Sequence, residues 1–126
     1  MPPGENEEAE LSEFEEKSRL TIEVDRAPGE AVVRLSGRLV AGVTDVLYLE
    51  VKELIPQTKR IVLDLTDLTH MDSMGLGTLV RLYVSSRAAG CDLELVNLGK
   101  RIRQLLGMTN LMSFFTIIGE NDVRVP

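Results

Sequence analysis

The residues of this 126-residue chain that could do chemistry are concentrated in one stretch, Asp72-Ser73-Met74-Gly75-Leu76-Gly77. Asp and Ser commonly begin helices, so we expect Ser73 at or near a helix N-cap. The free N–H groups and the helix dipole at that place favour negative charge, so a phosphate on Ser73 would be tolerated locally. Gly75 and Gly77 would keep the first turn slim, and Leu76 beside them is predicted to be a partly exposed apolar anchor. Two interpretations stay open: a plain helix cap, or a phosphorylatable surface that docks on a partner.

Nucleophilic catalysis and dinucleotide binding need groups that the sequence does not supply together. A catalytic serine needs a base positioned by a carboxylate, but the one histidine, His70, lies three residues before Ser73, and a Gly-x-Ser-x-Gly elbow is absent. Dinucleotide binding would use Gly75-Leu76-Gly77, but Val80 stands where a third glycine is needed. We therefore expect no enzyme activity, no catalytic residues and no cofactor.

Three aspartates offer the one possible metal site. Asp64, Asp67 and Asp72 occupy one strand-to-helix segment and could gather around Mg²⁺. Asp67 and Asp72 are equally typical of turns and helix caps, and this second interpretation is favoured. No metal site is predicted.

The charge of the chain divides it into two parts. The formal net charge of −6 lies entirely in residues 1–18, which hold seven Glu and one Lys, whereas residues 19–126 hold 13 acidic and 13 basic residues. We predict an acidic solvated leader over 1–18, with an interaction or autoinhibitory arm as the alternative, and one domain over 19–126. The one basic cluster, Lys100-Arg101-Arg103, has no interleaved aromatic residues, so direct nucleic-acid binding is not expected.

Composition is that of a globular domain with its own core. The chain is 44% hydrophobic and 27% charged, and it has no apolar run near the ~20 residues that a membrane span needs. The single cysteine, Cys91, forms no intrachain disulfide. Met1–Ser18 is acidic where a signal peptide would be basic and then apolar. A cytoplasmic location is predicted.

Strands and helices alternate along the chain, which predicts an α/β domain: a mixed, mostly parallel sheet with helices packed on it. Pro28-Gly29 predicts a turn between the first two strands. Predicted strands cover 20–24, 31–35, 60–65, 92–96 and 114–118; predicted helices cover about 43–54, 76–90 and 98–107; predicted loops lie at 37–42 and 66–72.

Four segments together resemble the STAS domain, and more closely the bacterial anti-sigma factor antagonists. They are Ile61–Leu65, Met71–Gly77, Gly90–Val96 and Leu105–Leu111. The resemblance covers about residues 20–119. It implies a single STAS-like domain that captures an anti-sigma factor and thereby frees a sigma factor.

The resemblance also implies a switch. It implies that the anti-sigma factor is a serine kinase using its own ATP, which phosphorylates Ser73, and that a PP2C-type phosphatase reverses the reaction. The antagonist itself catalyses nothing. The implied partner-binding residues are Asp72, Ser73, Met74, Gly75, Leu76, Gly77 and Leu105.

Two positions depart from the pattern of the family. Val40 stands where members with this role commonly carry an acidic residue, and Met74 stands where they commonly carry Ser or Thr. Both residues are expected near the partner-binding face. The alternative function is a STAS scaffold subunit of a signalling or membrane-associated transport complex, without a phosphoryl switch.

Overall fold

A mixed β-sheet and three α-helices make up residues 19–110, 115–118 and 124–125, which are the residues described by this computed structural model. The strands are β1 (Thr21–Ala27), β2 (Glu30–Leu39), β3 (Arg60–Met71), β4 (Asp92–Val96), β5 (Thr116–Ile118) and β6 (Arg124–Val125). The helices are α1 (Thr44–Leu54), α2 (Ser73–Ala88) and α3 (Lys100–Met108), and a 3₁₀ turn at Ile55–Gln57 follows α1. The predicted acidic leader, residues 1–18, and Phe114 lie outside the described residues.

The order of the strands in the sheet is their order in the chain, β1 to β6. Strands β2, β3, β4 and β5 are parallel neighbours, whereas β1–β2 and β5–β6 are antiparallel pairs. The predicted mixed, mostly parallel sheet is therefore confirmed. The pair β5–β6 adds an antiparallel edge that the sequence did not predict.

The helices bury their apolar stripes on one face of the sheet. Alternate residues of β2, β3 and β4 point into this core, because successive side chains of a strand face opposite sides. Fully buried members of this core are Val33, Leu35, Leu63 and Leu95 from the sheet, and Leu47, Leu79, Leu82 and Leu106 from the helices.

Both predicted loops, 37–42 and 66–72, include residues that belong to the preceding strand. The loop predicted at 66–72 is strand through Met71, because Asp67–Met71 pairs in parallel with Ser36–Leu39 of β2. Register shifts between Arg34 and Ser36, and again at Gly37, interrupt the two-residue alternation that identifies strands. Gly37 is part of β2, with φ +94°, and a Cβ there would collide with the carbonyl oxygen of Arg19.

Apolar spacing also overestimated the buried faces of two helices. Val46 of α1 and Val84 of α2, which lie at the helical spacing of the apolar residues, are 57% and 59% exposed. The end of α3 lies slightly beyond the predicted stop: Gly107 is within the helix, and Asn110, with φ +58°, follows it. The buried stripes of α1 and α2 are therefore narrower than their apolar patterns indicate.

Candidate functional site

The candidate site stands at the tip of a two-stranded extension of the sheet. Within the described residues, β3 pairs with β4 only as far as Asp64 and Val96, but it pairs with β2 as far as Met71. Asp72 follows directly and is the N-cap of α2, with extended backbone angles. The strand-to-helix junction is thus carried beyond the neighbouring strand.

Asp72 ties three parts of the chain together through its backbone and side chain. Its Oδ1 accepts a hydrogen bond from the N–H of Gly75 at 2.9 Å, which caps α2. Its Oδ2 accepts a hydrogen bond from the N–H of Ala41 at 2.9 Å, in the turn after β2. Its own N–H donates to the carbonyl oxygen of Leu39 at 3.3 Å. The first turn of α2 is therefore held against the end of β2.

These hydrogen bonds keep Asp72 ionised. The N–H groups of Ala41 and Gly75 donate to the charged carboxylate, and they hold the pKa of Asp72 below its ordinary value. A negative charge is consequently fixed at the N-terminus of α2, where the helix dipole favours it.

Gly75 and Gly77 do different things, although the sequence predicted one role for both. A Cβ on Gly75 would collide with the carbonyl oxygen of Leu39 and crowd the side chains of Leu39 and Met71. A Cβ on Gly77 would have no neighbour within 4 Å. Gly75 is therefore required by packing inside the protein, whereas Gly77 leaves an open place on the exposed side of α2.

Ser73 is the first residue of α2 and is exposed, as expected of a residue next to the cap. Within the described part of the chain its hydroxyl takes part in no hydrogen bond. Met74 beside it is 56% exposed. The hydroxyl of Ser73 is accordingly accessible to a second molecule, next to an exposed apolar side chain.

The expectation that Leu76 is partly exposed is wrong. Leu76 is 6% exposed and belongs to the core together with Leu79. Its burial agrees with the helical spacing, because Leu76 and Leu79 are three residues apart and lie on the same face of α2. Leu105, the remaining predicted contact residue, is half-buried on α3.

The groups considered for catalysis and metal binding are not brought together. His70 is exposed, and its Nδ1 lies 3.0 Å from the hydroxyl of the adjacent Thr69. The carboxylate of Asp64 accepts hydrogen bonds from the N–H and hydroxyl of Thr66 and from the amide of Asn97. Burial raises the pKa of Asp64, but these donors outweigh it and leave that pKa below its ordinary value. Within the described residues, no group of three or more His, Cys, Asp or Glu side chains is arranged to hold a metal ion.

A cavity of about 430 Å³ lies far from these residues. Its lining comes from the second half of α2, the turn after it and the start of β4, and includes Tyr83, Arg87 and Cys91. None of the predicted contact residues lines it. This cavity is therefore not part of the candidate site.

Sequence reasoning missed the turn that completes this surface. The backbone of Val40–Val43 closes a turn in which the N–H of Val43 donates to the carbonyl oxygen of Val40 at 3.2 Å. The hydrogen bond from Ala41 to Asp72 fixes this turn beside Ser73. No local signal reports such a contact, since Ala41 and Asp72 are 31 positions apart.

Comparisons with known proteins identify the family of the chain. Residues 21–122 match the family model of the STAS domain. The chain is 32% identical over 107 residues to an anti-sigma F factor antagonist of Paenibacillus polymyxa, which covers 83% of this chain and 91% of that relative. It is 25% identical over 103 residues to the anti-sigma-B factor antagonist of Bacillus subtilis (strain 168), with 82% and 94% covered.

Solved structures give the same result for the fold. The unphosphorylated form of the anti-sigma factor antagonist SpoIIAA superposes with a TM-score of 0.68 at 18% identity, covering 80% of this chain and 90% of that one. No helix among the described residues has both the length and the apolar character to cross a membrane.

Proposed function

The chain belongs to the STAS domain family, and we propose that it is an anti-sigma factor antagonist switched by phosphorylation of Ser73. In this proposal the unphosphorylated protein captures an anti-sigma factor in the cytoplasm, and the sigma factor is released. The observation that carries the proposal is the exposed Ser73 at the capped start of α2.

The proposed contact surface consists of the exposed residues around that start. Ser73, Met74 and Gly77 face solvent on α2, and Ala41 is exposed in the turn after β2. Asp72, Gly75 and Leu76 support this surface from within, because they fix the helix start and are needed for its packing. Because no atom lies within 4 Å of where a Cβ of Gly77 would be, a partner can approach the helix backbone there.

A phosphate on Ser73 would change the surface without unfolding the domain. It adds about −1.5 to −2 charges and three acceptor oxygens at a helix N-terminus, where N–H groups and the dipole favour an anion. It also stands beside the ionised Asp72, so negative charge accumulates at the centre of the contact surface. Docking of a neutral or acidic partner surface is then opposed by repulsion and by bulk.

The chemistry of the switch belongs to the partners. A kinase activity of the anti-sigma factor transfers the γ-phosphoryl group of its ATP to Oγ of Ser73, with loss of the hydroxyl proton and release of ADP. A PP2C-type phosphatase hydrolyses the phosphoserine and restores binding. This chain supplies the exposed hydroxyl and its rigid position but no catalytic group.

Val40 and Met74 give the contact surface a more apolar character than relatives with an acidic residue and a small polar residue there. Val40 is half-buried between Leu39 and Ala41, the two residues hydrogen-bonded to Asp72, while Met74 is exposed. We infer that the partner of this chain offers apolar side chains at this place.

Intact-mass spectrometry of the protein incubated with its cognate anti-sigma factor and ATP tests the proposal. One added phosphate is expected on the wild type and on a control variant, Ser85→Ala, which removes a half-buried serine of the same helix. Ser73→Ala should fold normally, gain no phosphate and bind the anti-sigma factor constitutively. Binding without phosphate on the wild type would overturn the switch, and absence of binding to any anti-sigma factor would favour a scaffold subunit instead.

A further inference from the structure

Two cations lie over one tyrosine ring between α1 and α2. The guanidinium carbon of Arg81 is 4.0 Å from the centroid of the Tyr48 ring, and Nζ of Lys52 is 5.5 Å from it. The hydroxyl oxygen of Tyr48 lies 3.5 Å from Oγ of Ser85, so the ring of an α1 residue also contacts α2 at its polar end. Tyr48, Lys52 and Arg81 are called the tyrosine–cation cluster below.

No ion pair within the described residues neutralises this cluster. The ion pairs of that part of the chain lie on the sheet, and none involves Lys52 or Arg81. Helix α2 contains no acidic residue, and Asp45, three residues before Tyr48 on α1, forms no ion pair with either cation. Both cations are exposed. The tyrosine–cation cluster therefore presents unneutralised positive charge to solvent.

The tyrosine ring prepares the two cations to bind a carboxylate. An aromatic face attracts a cation through its quadrupole but does not neutralise it. Contact with the ring restricts these long side chains, so less conformational entropy remains to be lost when a partner binds. A guanidinium, moreover, offers parallel N–H donors that match the two oxygens of a carboxylate. The cluster thus combines free positive charge with side chains that are already positioned.

The surroundings of the cluster favour a protein segment over a polyanion. Leu49, next to Tyr48 on α1, is 61% exposed, and Val84, three residues after Arg81 on α2, is 59% exposed. Three acidic residues on α1 would oppose a nucleic acid or an anionic membrane, which both need a broad basic surface. A carboxylate flanked by apolar side chains suits this surface better.

The cluster is continuous with the surface around Ser73. Met74, the residue after Ser73, is 56% exposed, and Arg81 follows it by seven residues, which is close to two turns of α2. The two side chains therefore lie on the same side of the helix, about 10 Å apart along its axis. Gly77, between them, leaves open space on the helix. A partner segment of a few residues can span both places.

We propose that the tyrosine–cation cluster binds a carboxylate side chain of the anti-sigma factor, in a segment that lies along α2 from Met74 to Arg81. The inference rests on the proposed function, because its partner is the partner of the Ser73 switch. It also adds a reason for the switch to work: a phosphate on Ser73 repels a segment that is itself acidic.

Binding kinetics of the full chain with its cognate anti-sigma factor test the inference. Lys52→Gln combined with Arg81→Gln should weaken binding by about tenfold and flatten its dependence on salt, because complementary charge speeds association and salt screens it. Arg26→Gln combined with Lys59→Gln is the matched control. It removes one exposed arginine and one exposed lysine that make no ion pair, and it should leave the affinity and its salt dependence unchanged.

Two single variants separate charge from packing. Arg81→Lys keeps a cation beside the ring and should retain most of the binding. Lys52→Gln leaves Arg81 on the ring, so it should keep the melting temperature and still flatten the salt dependence. A cluster that only packs α1 against α2 would show the reverse: a lower melting temperature and an unchanged salt dependence, which would overturn the inference.

The outcomes distinguish this inference from the proposed function. Equal binding by the wild type and the double variant at Lys52 and Arg81 would overturn the inference and leave the switch at Ser73 standing. Failure of the wild type to bind any anti-sigma factor would overturn both. Self-association of the wild type in analytical ultracentrifugation, lost in the double variant, would assign the cluster to a second copy of this chain and also overturn the inference.

Discussion

The N-termini of α2 and α3 differ in whether a side chain caps their unpaired N–H groups. Each helix start leaves N–H groups without partners inside the helix and carries partial positive charge. Helix α2 receives a carboxylate at its N-cap, Asp72, which also ties in the turn at Ala41. Helix α3 begins at Gly99 with no side-chain cap and continues with three cations.

Within the described residues, the start of α2 has a side-chain cap and the start of α3 has none. At α2 the backbone of Leu39 packs on Gly75, so the backbone that carries Ser73 is held in place. At α3 the described residues supply no side-chain cap, and none of their ion pairs involves Lys100, Arg101 or Arg103. A rigid presentation of Ser73 suits a modification site, and an unbalanced basic turn suits an electrostatic contact.

The largest expected effect is the loss of stability when a leucine near the start of α2 or α3 is truncated. Leu76→Ala removes a core side chain that is 6% exposed, so the free energy of unfolding should fall by about 2–5 kcal/mol. Leu105→Ala on α3 removes a half-buried side chain and should cost clearly less. Denaturant unfolding of both variants measures this, and equal losses would show that the two helices are anchored alike.

The second comparison uses the two glycines of α2. Gly75→Ala forces a Cβ onto the carbonyl of Leu39 and should destabilise the fold by about 1–3 kcal/mol. Gly77→Ala meets open space and should stabilise the helix by up to about 1 kcal/mol, because alanine is the better helix former. Thermal unfolding checks both signs, and partner binding should weaken in Gly77→Ala despite the gain in stability.

Replacement of Asp72 separates its two hydrogen bonds, the one from Gly75 that caps α2 and the one from Ala41 in the turn after β2. Asp72→Ala loses both and should cost about 0.5–2 kcal/mol or more, whereas Asp72→Asn keeps one acceptor oxygen for Gly75 but cannot accept from Ala41 with its NH₂ group. The folded-state pKa of Asp72 is lowered, so its contribution is present above its ordinary value of 3.8 and is lost as pH falls through the lowered pKa. The stability difference between wild type and Asp72→Asn should therefore shrink in acid; a difference that grows would contradict the assignment.

The missing cap of α3 can be supplied. Gly99→Asp places a carboxylate at the N-cap beside Lys100 and should stabilise the protein by about 0.3–1 kcal/mol, mostly at low salt. Gly99→Asn, which supplies a similar cap without the charge, is the control and should give no salt-dependent part of this gain. Urea midpoints at two ionic strengths measure the effect.

The smallest effect is expected from removal of residues 2–18. Residues 1–18 contain only two large apolar residues, so the melting temperature should change by less than about 5 °C. Differential scanning calorimetry of the shortened and full chains makes this comparison. A larger drop would mean that the leader, with its apolar Leu11 and Phe14, is packed in the fold.

The sequence predicted the elements whose pattern is local. Strand β4 was predicted residue for residue as Asp92–Val96, because a short apolar run without register shifts carries its own signal. The exposed position of Ser73 followed from the cap signal of Asp72. The burial of Leu76 was predictable from its spacing, since Leu76 and Leu79 are three residues apart on one helix face and both are buried. The strand character of Thr66–His70 was hidden because its polar residues pair with an irregular stretch of β2.

The agreement between strand order and chain order has a consequence for how this domain forms. Each strand pairs with the next one along the chain, from β1 to β6. Loop-closure entropy rises with the number of residues enclosed, and here it is divided among several short closures instead of one long closure. Contacts of short sequence separation favour rapid folding, so the sheet can grow strand by strand while the chain is still being synthesised.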